Sequence, residues 1–158
     1  MRFAVVAFLD DVALDAEFGA GELPLHVTLL GPCETEADLG QLEAALDAAF
    51  AQFAPFEAEG GDDELFGPRQ DVEVTLVEDD GDLQAAHLQL LAQLRQIGDV
   101  RVVSPQYVGR GFRPHVTAVD GERIDRGERF ELDAVAVLDL APDDDASRNK
   151  VVAQLPLL

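Results

Sequence analysis

The tripeptide His-Val-Thr occurs twice, as His26-Val27-Thr28 and as His115-Val116-Thr117, each time at the start of an apolar run that follows a proline. In an extended strand residues i and i+2 point to the same face. Each run therefore offers an imidazole and a hydroxyl together, His26 beside Thr28 and His115 beside Thr117. A lone His-x-Thr arises easily by chance. Two in matching contexts, one in each half of the chain, require a fold that holds two such strands.

Hydrophobic periodicity supplies that fold. Arg2 to Leu9 is a short run with β-branched and aromatic content and reads as a strand, as does Leu25 to Leu30. Thr35-Glu36-Ala37-Asp38 has the Ser/Thr-x-x-acid pattern of a helix start. Leu39, Leu42, Leu46, Ala49, Phe50 and Phe53 then recur at helical spacing up to Pro55. Phe56 to Phe66 and Val72 to Val77 read as strands turned by Gly67-Pro68. A second helix is expected with Asp82 as its N-cap, Leu83, Ala86, Leu90, Leu94 and Ile97 on one face, and Gly98 as its stop. Val100 to Val103, Arg113 to Val119, Phe130 to Leu140 and Lys150 to Leu157 complete the strands, with a loop from Ser104 to Phe112. The order of strands, helix, strands is thus run through twice, with one His-Val-Thr in each half. The expected fold is α+β: two similar lobes of antiparallel sheet with helices packed outside. No linker rich in Gly, Ser or Pro separates them, so residues 1–158 are expected to form one domain.

Composition bounds the partner. The 158 residues carry 32 acids against 11 Lys and Arg, a net charge of -21. A surface this acidic repels a polyphosphate backbone, which excludes tight binding along duplex nucleic acid. A small anionic nucleotide or a short RNA end remains open, because only the field inside the pocket matters to it. The acids are also unevenly spread. None lies between Glu22 and Glu34, and none between Asp99 and Asp120, where Arg101, Arg110 and Arg113 stand. Each acid-free stretch contains one His-Val-Thr. Exclusion of charge from buried strands accounts for missing carboxylates but not for the three arginines. The one cysteine, Cys33, has no partner for a disulfide, and no run is apolar enough for a signal peptide or membrane span. A cytoplasmic monomer without membrane contact is expected.

Two histidines suit one kind of reaction. Breaking a phosphodiester with water needs a base on one side of phosphorus and an acid at the departing oxygen. Imidazole titrates near neutrality, so one can be neutral while the other is protonated. Hydroxyl donors such as those of Thr28 and Thr117 stabilise charge gathering on the non-bridging oxygens. On these residues the chain resembles the 2H phosphoesterase superfamily, which includes the 2′-5′ RNA ligase-like proteins and the RNA 2′,3′-cyclic phosphodiesterases. The likeness covers nearly the whole chain in size and element order. It implies a cleft between two pseudo-symmetric lobes, with His26 and His115 as acid and base and Thr28 and Thr117 as phosphate ligands. It implies hydrolysis of a 2′,3′-cyclic or 2′-5′ phosphodiester, with no metal and no cofactor. Many relatives continue the second motif as His-x-Thr-Leu-x-Arg, whereas here Ala118-Val119-Asp120 follows Thr117. Arg113, two residues before His115, is the candidate to replace that cation, with Arg110 and Arg69 less direct. Tyr107 and Phe112 are candidates to stack on a base.

Rival chemistries have weaker signals. The third histidine, His87, sits on the second helix outside any motif and reads as structural, and three scattered histidines have poor metal spacing. Ser104 and Ser147 lie in no Gly-x-Ser-x-Gly elbow. Asp143-Asp144-Asp145 reads as a solvated turn. The alternative of a different class is a catalytically inactive nucleotide-binding or interaction protein that keeps the cleft.

Overall fold

The computed structural model describes residues 1–158. The strands are β1 (Arg2–Phe8), β2 (Glu17–Gly19), β3 (His26–Thr35), β4 (Phe56–Phe66), β5 (Val72–Glu78), β6 (Val100–Val102), β7 (His115–Thr117), β8 (Arg129–Leu132), β9 (Ala134–Asp139) and β10 (Arg148–Pro156). The helices are α1 (Leu39–Phe50) and α2 (Asp82–Ile97). The ladder runs β2-β10-β9-β1-β3-β7-β5-β4-β8, with β6 paired to the far end of β3. Neighbouring strands are antiparallel throughout. This is the expected α+β architecture of antiparallel sheet with outer helices.

Alternation along β3 and β7 decides which side chains face the helices. Val27, Leu29 and Val116 are buried in one core with Leu42 and Leu46 of α1 and Leu83, Leu90 and Leu94 of α2. Each such leucine contributes about 1.5–3 kcal/mol by leaving water. The same alternation turns His26, Thr28, His115 and Thr117 to the other face. On that face β1, β9 and β10 carry a smaller cluster, Val6, Phe8, Ala136, Leu138 and Val151, roofed by Val12, Ala16, Phe18 and Leu23. That cluster takes no residue from β3 or β7, and the four motif side chains stay half-buried.

Several boundaries differ from expectation. Thr35 is the last residue of β3, where its hydroxyl donates to the Asp99 carbonyl at 2.6 Å and accepts from Ala37 N–H at 2.9 Å. The α1 cap is Asp38, in a reciprocal capping box with Gln41. Asp82 is the first residue of α2 and Gly81 its N-cap, at φ 102°. Asp80 and Asp79 instead accept from the N–H groups of Asp82 and Leu83. The strand expected over Arg113 to Val119 is reduced to His115–Thr117. The run Phe130 to Leu140 is two strands broken at Asp133: β8 pairs with β4 at one end of the ladder, and β9 lies between β1 and β10 in the other half.

Candidate functional site

The two motifs lie on neighbouring strands. β3 and β7 meet at one antiparallel pair, Val27 opposite Val116. That register sets His26 across from Thr117 and Thr28 across from His115, on the face turned away from the helices. The two halves of the ladder thus join at the residues between the histidines and threonines. A local two-fold relation follows: each imidazole has a hydroxyl two residues along its own strand and another across the ladder.

The surroundings of the histidines repeat as well. His26 Nδ1 lies 2.8 Å from the Pro24 carbonyl and His115 Nδ1 lies 2.8 Å from the Arg113 carbonyl, in each case the residue at i−2. A carbonyl only accepts, so Nδ1 carries the proton and Nε2 is the free ring nitrogen. Each ring also meets a phenylalanine edge to face. Phe8 stands 5.9 Å from His26 at 66°, and Phe66 stands 4.7 Å from His115 at 68°. Burial pushes the His26 imidazole below its ordinary value; the Pro24 carbonyl pushes it back up, and the charge of His115 pushes it down again. The His115 imidazole is lowered for the same first reason, raised by the Arg113 carbonyl and lowered by the Arg113 charge. Mutual repulsion means that protonating one ring disfavours protonating the other.

Beside this seam opens a cavity of about 610 Å³ walled by Thr28, Phe66, Tyr107, Arg113, His115 and neighbouring residues. No Asp or Glu lines it, in a chain with 32 of them. The acid-free stretches of sequence are what supply most of this wall. Arg113 is its one guanidinium, held by Glu64 at 2.5 Å and lying 5.2 Å above the Phe66 ring. Tyr107 is exposed at the rim.

The other arginine candidates fall elsewhere, and Phe112 lines the cavity only from its buried side. Arg110 and Arg69 are exposed and do not line the cavity. Arg101 pairs with Glu34 where β6 meets β3. Of the three arginines in the second acid-free stretch only Arg113 faces the cavity, because the loop turns twice, at Pro105–Tyr107 and Gly109–Gly111, before reaching it. Phe112 is buried and stacks on His87, with ring centroids 4.2 Å apart. Nowhere do three or more His, Cys, Asp or Glu side chains converge as metal ligands would. Sequence reasoning passed over Phe8 and Phe66, which no motif marks, and the full burial of His87. A polar residue on the apolar stripe of α2, in phase with Leu83 and Leu90, is the one signal that pointed to it.

Two histidines and two threonines set two-fold about a strand seam are the hallmark of the 2H phosphoesterase class. Residues 7–142 match the family model described as the 2′-5′ RNA ligase superfamily, and the chain belongs to that family. Its fold is similar to that of TT0787 of Thermus thermophilus, at 21% identity and a TM-score of 0.60 over 99% of this chain and 98% of that one. It is also similar to E. coli LigT crystallised with 3′-AMP, at 16% identity and a TM-score of 0.59 over 99% and 97% of the two chains. LigT has likewise been crystallised with NADP+, that chain aligning at 16% identity and a TM-score of 0.57 over 99% and 96%. No curated protein matches the chain significantly.

Proposed function

We propose that the protein is a phosphodiesterase that hydrolyses a 2′,3′-cyclic or 2′-5′ phosphodiester of a nucleotide or short RNA end, with His26 and His115 as its acid and base. The observation that carries this reading is the Val27–Val116 pairing, which sets two Nδ1-anchored imidazoles and two hydroxyls on one face. In the forward step the neutral imidazole takes a proton from water at Nε2. The water oxygen bonds to phosphorus as the bond to the ribose oxygen breaks, and the protonated imidazole delivers its Nε2 proton to that oxygen. The product is a phosphomonoester with a free hydroxyl, and the ring protons have exchanged roles. Thr28 and Thr117 donate to the non-bridging oxygens, where charge accumulates in the transition state. Arg113 supplies the cation that the residues after Thr117 lack, and Tyr107 stacks at the rim.

A small nucleotide suits a cavity of this volume, and the carboxylate-free wall suits its phosphate. The ligands crystallised with LigT are of that class. Purified protein in EDTA, assayed against nucleoside 2′,3′-cyclic phosphates and 2′-5′- and 3′-5′-linked dinucleotides, is expected to turn over members of the first two groups and spare the third. Absence of turnover on the whole panel, with 3′-AMP still bound, would favour the inactive nucleotide-binding alternative.

A further inference from the structure

At the back of the cavity, which it helps to line, His87 is 1% exposed and makes two hydrogen bonds, both to backbone. Its Nδ1 lies 2.6 Å from the carbonyl of Leu29, the residue after Thr28 on β3. Its Nε2 accepts the Gly109 N–H at 2.9 Å. An imidazole can do both only when neutral with the proton on Nδ1, the form that burial favours by lowering its affinity for a second proton. One turn earlier on α2, Gln84 Nε2 donates to the Gly109 carbonyl at 3.0 Å, so the helix holds both polar groups of that glycine. Phe112 stacks on the same imidazole.

Gly109 and Phe112 belong to the loop that carries Tyr107 to the cavity rim and delivers Arg113 to its wall. Val108 packs against the main core and Phe112 is buried, but the loop's other backbone hydrogen bonds lie within the loop itself. Its two single turns bury no residue of their own, and a Cβ on Gly111 would meet the Gln106 carbonyl oxygen at 1.9 Å, so its path tolerates no detour. A solvent-filled alternative is not open to His87 either, because a buried donor or acceptor left without a partner costs more than the bond itself contributed.

We propose that His87 is a positioning residue for the cavity, tying the strand of the first motif to the loop that presents Tyr107 and Arg113, with Gln84 as its second point of attachment. This rests on the phosphodiesterase reading above only for the kinetic part of its test. The two amide side chains separate its two bonds. In His87→Gln the side-chain oxygen reaches the Nε2 position and still accepts from Gly109. In His87→Asn the shorter amide reaches only the Leu29 carbonyl, and Gly109 N–H is released.

The experiment is amide hydrogen exchange at Gly109 by NMR, together with 3′-AMP affinity and, on whichever cyclic phosphate is hydrolysed, KM and kcat, for the full chain. His87→Asn is expected to speed Gly109 exchange and weaken 3′-AMP binding by about tenfold or more, with KM rising and kcat within about threefold. His87→Gln, which keeps the Gly109 bond and gives up the one to Leu29, is expected to leave Gly109 exchange within about threefold of the unmodified protein and to weaken 3′-AMP binding by less than His87→Asn. Gln84→Ala, which keeps His87, should shift exchange and affinity in the same direction as His87→Asn and by less, and it serves alone if His87→Asn does not fold. Equal behaviour of the Asn and Gln variants, unaltered Gly109 exchange in His87→Asn or in Gln84→Ala, or a loss confined to kcat would overturn the proposal. If the unmodified protein turns over nothing, the phosphodiesterase reading falls, while the exchange measurement still decides for or against His87.

Discussion

The carbonyls of Pro24 and Arg113 do for the two imidazoles what a carboxylate does in many acid–base sites: they fix the tautomer and aim Nε2 outward. A carbonyl brings no full charge, so burial wins, aided by the charge of His115 at His26 and of Arg113 at His115, and both rings bind protons less readily than free imidazole. The consequence for catalysis has a definite sign. The proposed mechanism needs one ring protonated and the other neutral, and in the free protein both transitions lie below the ordinary 6.5. The kcat/KM profile is therefore expected to be bell-shaped with its maximum on the acid side of pH 6.5, and a maximum at about pH 7.5 or above contradicts this account. Arg113 yields a second prediction. Glu64 neutralises it and competes with any phosphate, so Glu64→Gln is expected to tighten 3′-AMP by a few-fold, the scale of an exposed ion pair, and addition of salt should erase the gain. Weaker binding in Glu64→Gln would show that the carboxylate orients Arg113 rather than competes with its ligand.

At the scale of the elements, what could be read from the sequence was what local pattern encodes. Both helices, the strands that hold the motifs, and the pairing of His26 with Thr28 and His115 with Thr117 follow from periods of 3.6 and 2. The seam did not follow, because the Val27–Val116 register is a contact between distant segments with no local signature. Nor did the split at Asp133: Phe130 to Leu140, with Glu131, Asp133 and Asp139 among its apolar residues, reads locally as one strand, and nothing in it says that β8 and β9 belong to opposite halves of the ladder. The caps shifted because Asp38 and Gln41 formed a better reciprocal pair than Thr35 and Asp38, and because β3 claimed Thr35 for its last rung. His87 read as structural, and its burial agrees, but its bonds to Leu29 and Gly109 depend on a loop whose course no propensity predicts. That burial has a measurable effect on α2 and the loop. Unfolded His87 takes up a proton near the ordinary 6.5, whereas the folded protein accepts it only at lower pH. The unfolded state therefore binds more protons as pH falls below 6.5, and stability declines there. Urea midpoints at about pH 7.5 and about pH 5.5 are expected to differ less for His87→Gln than for the unmodified protein. An unchanged difference would place the acid sensitivity in other groups.

For the molecule as a whole, the contrast between a net charge of -21 and a cavity wall without carboxylates sets the reach of the substrate. In the proposed complex one phosphate in the cavity would meet Arg113 and Thr28 on its wall, and further phosphates would run out over an acidic surface. At low ionic strength each added nucleotide is therefore expected to lower kcat/KM, and raising salt from about 20 to about 300 mM should narrow the gap between a mononucleotide and a longer oligonucleotide ending in the same cyclic phosphate. A gap that widens with salt would mean that the protein holds the chain by cationic contacts instead. The central claim is that His26 and His115 act as one acid–base unit. It is tested most directly by kcat of His26→Ala, His115→Ala and the double variant in EDTA on the best substrate of the panel. Each single change is expected to lose at least about 10²-fold, and the double variant little more than the worse single, as groups acting together do. Full activity in either single variant, or abolition of turnover by EDTA alone, would contradict it.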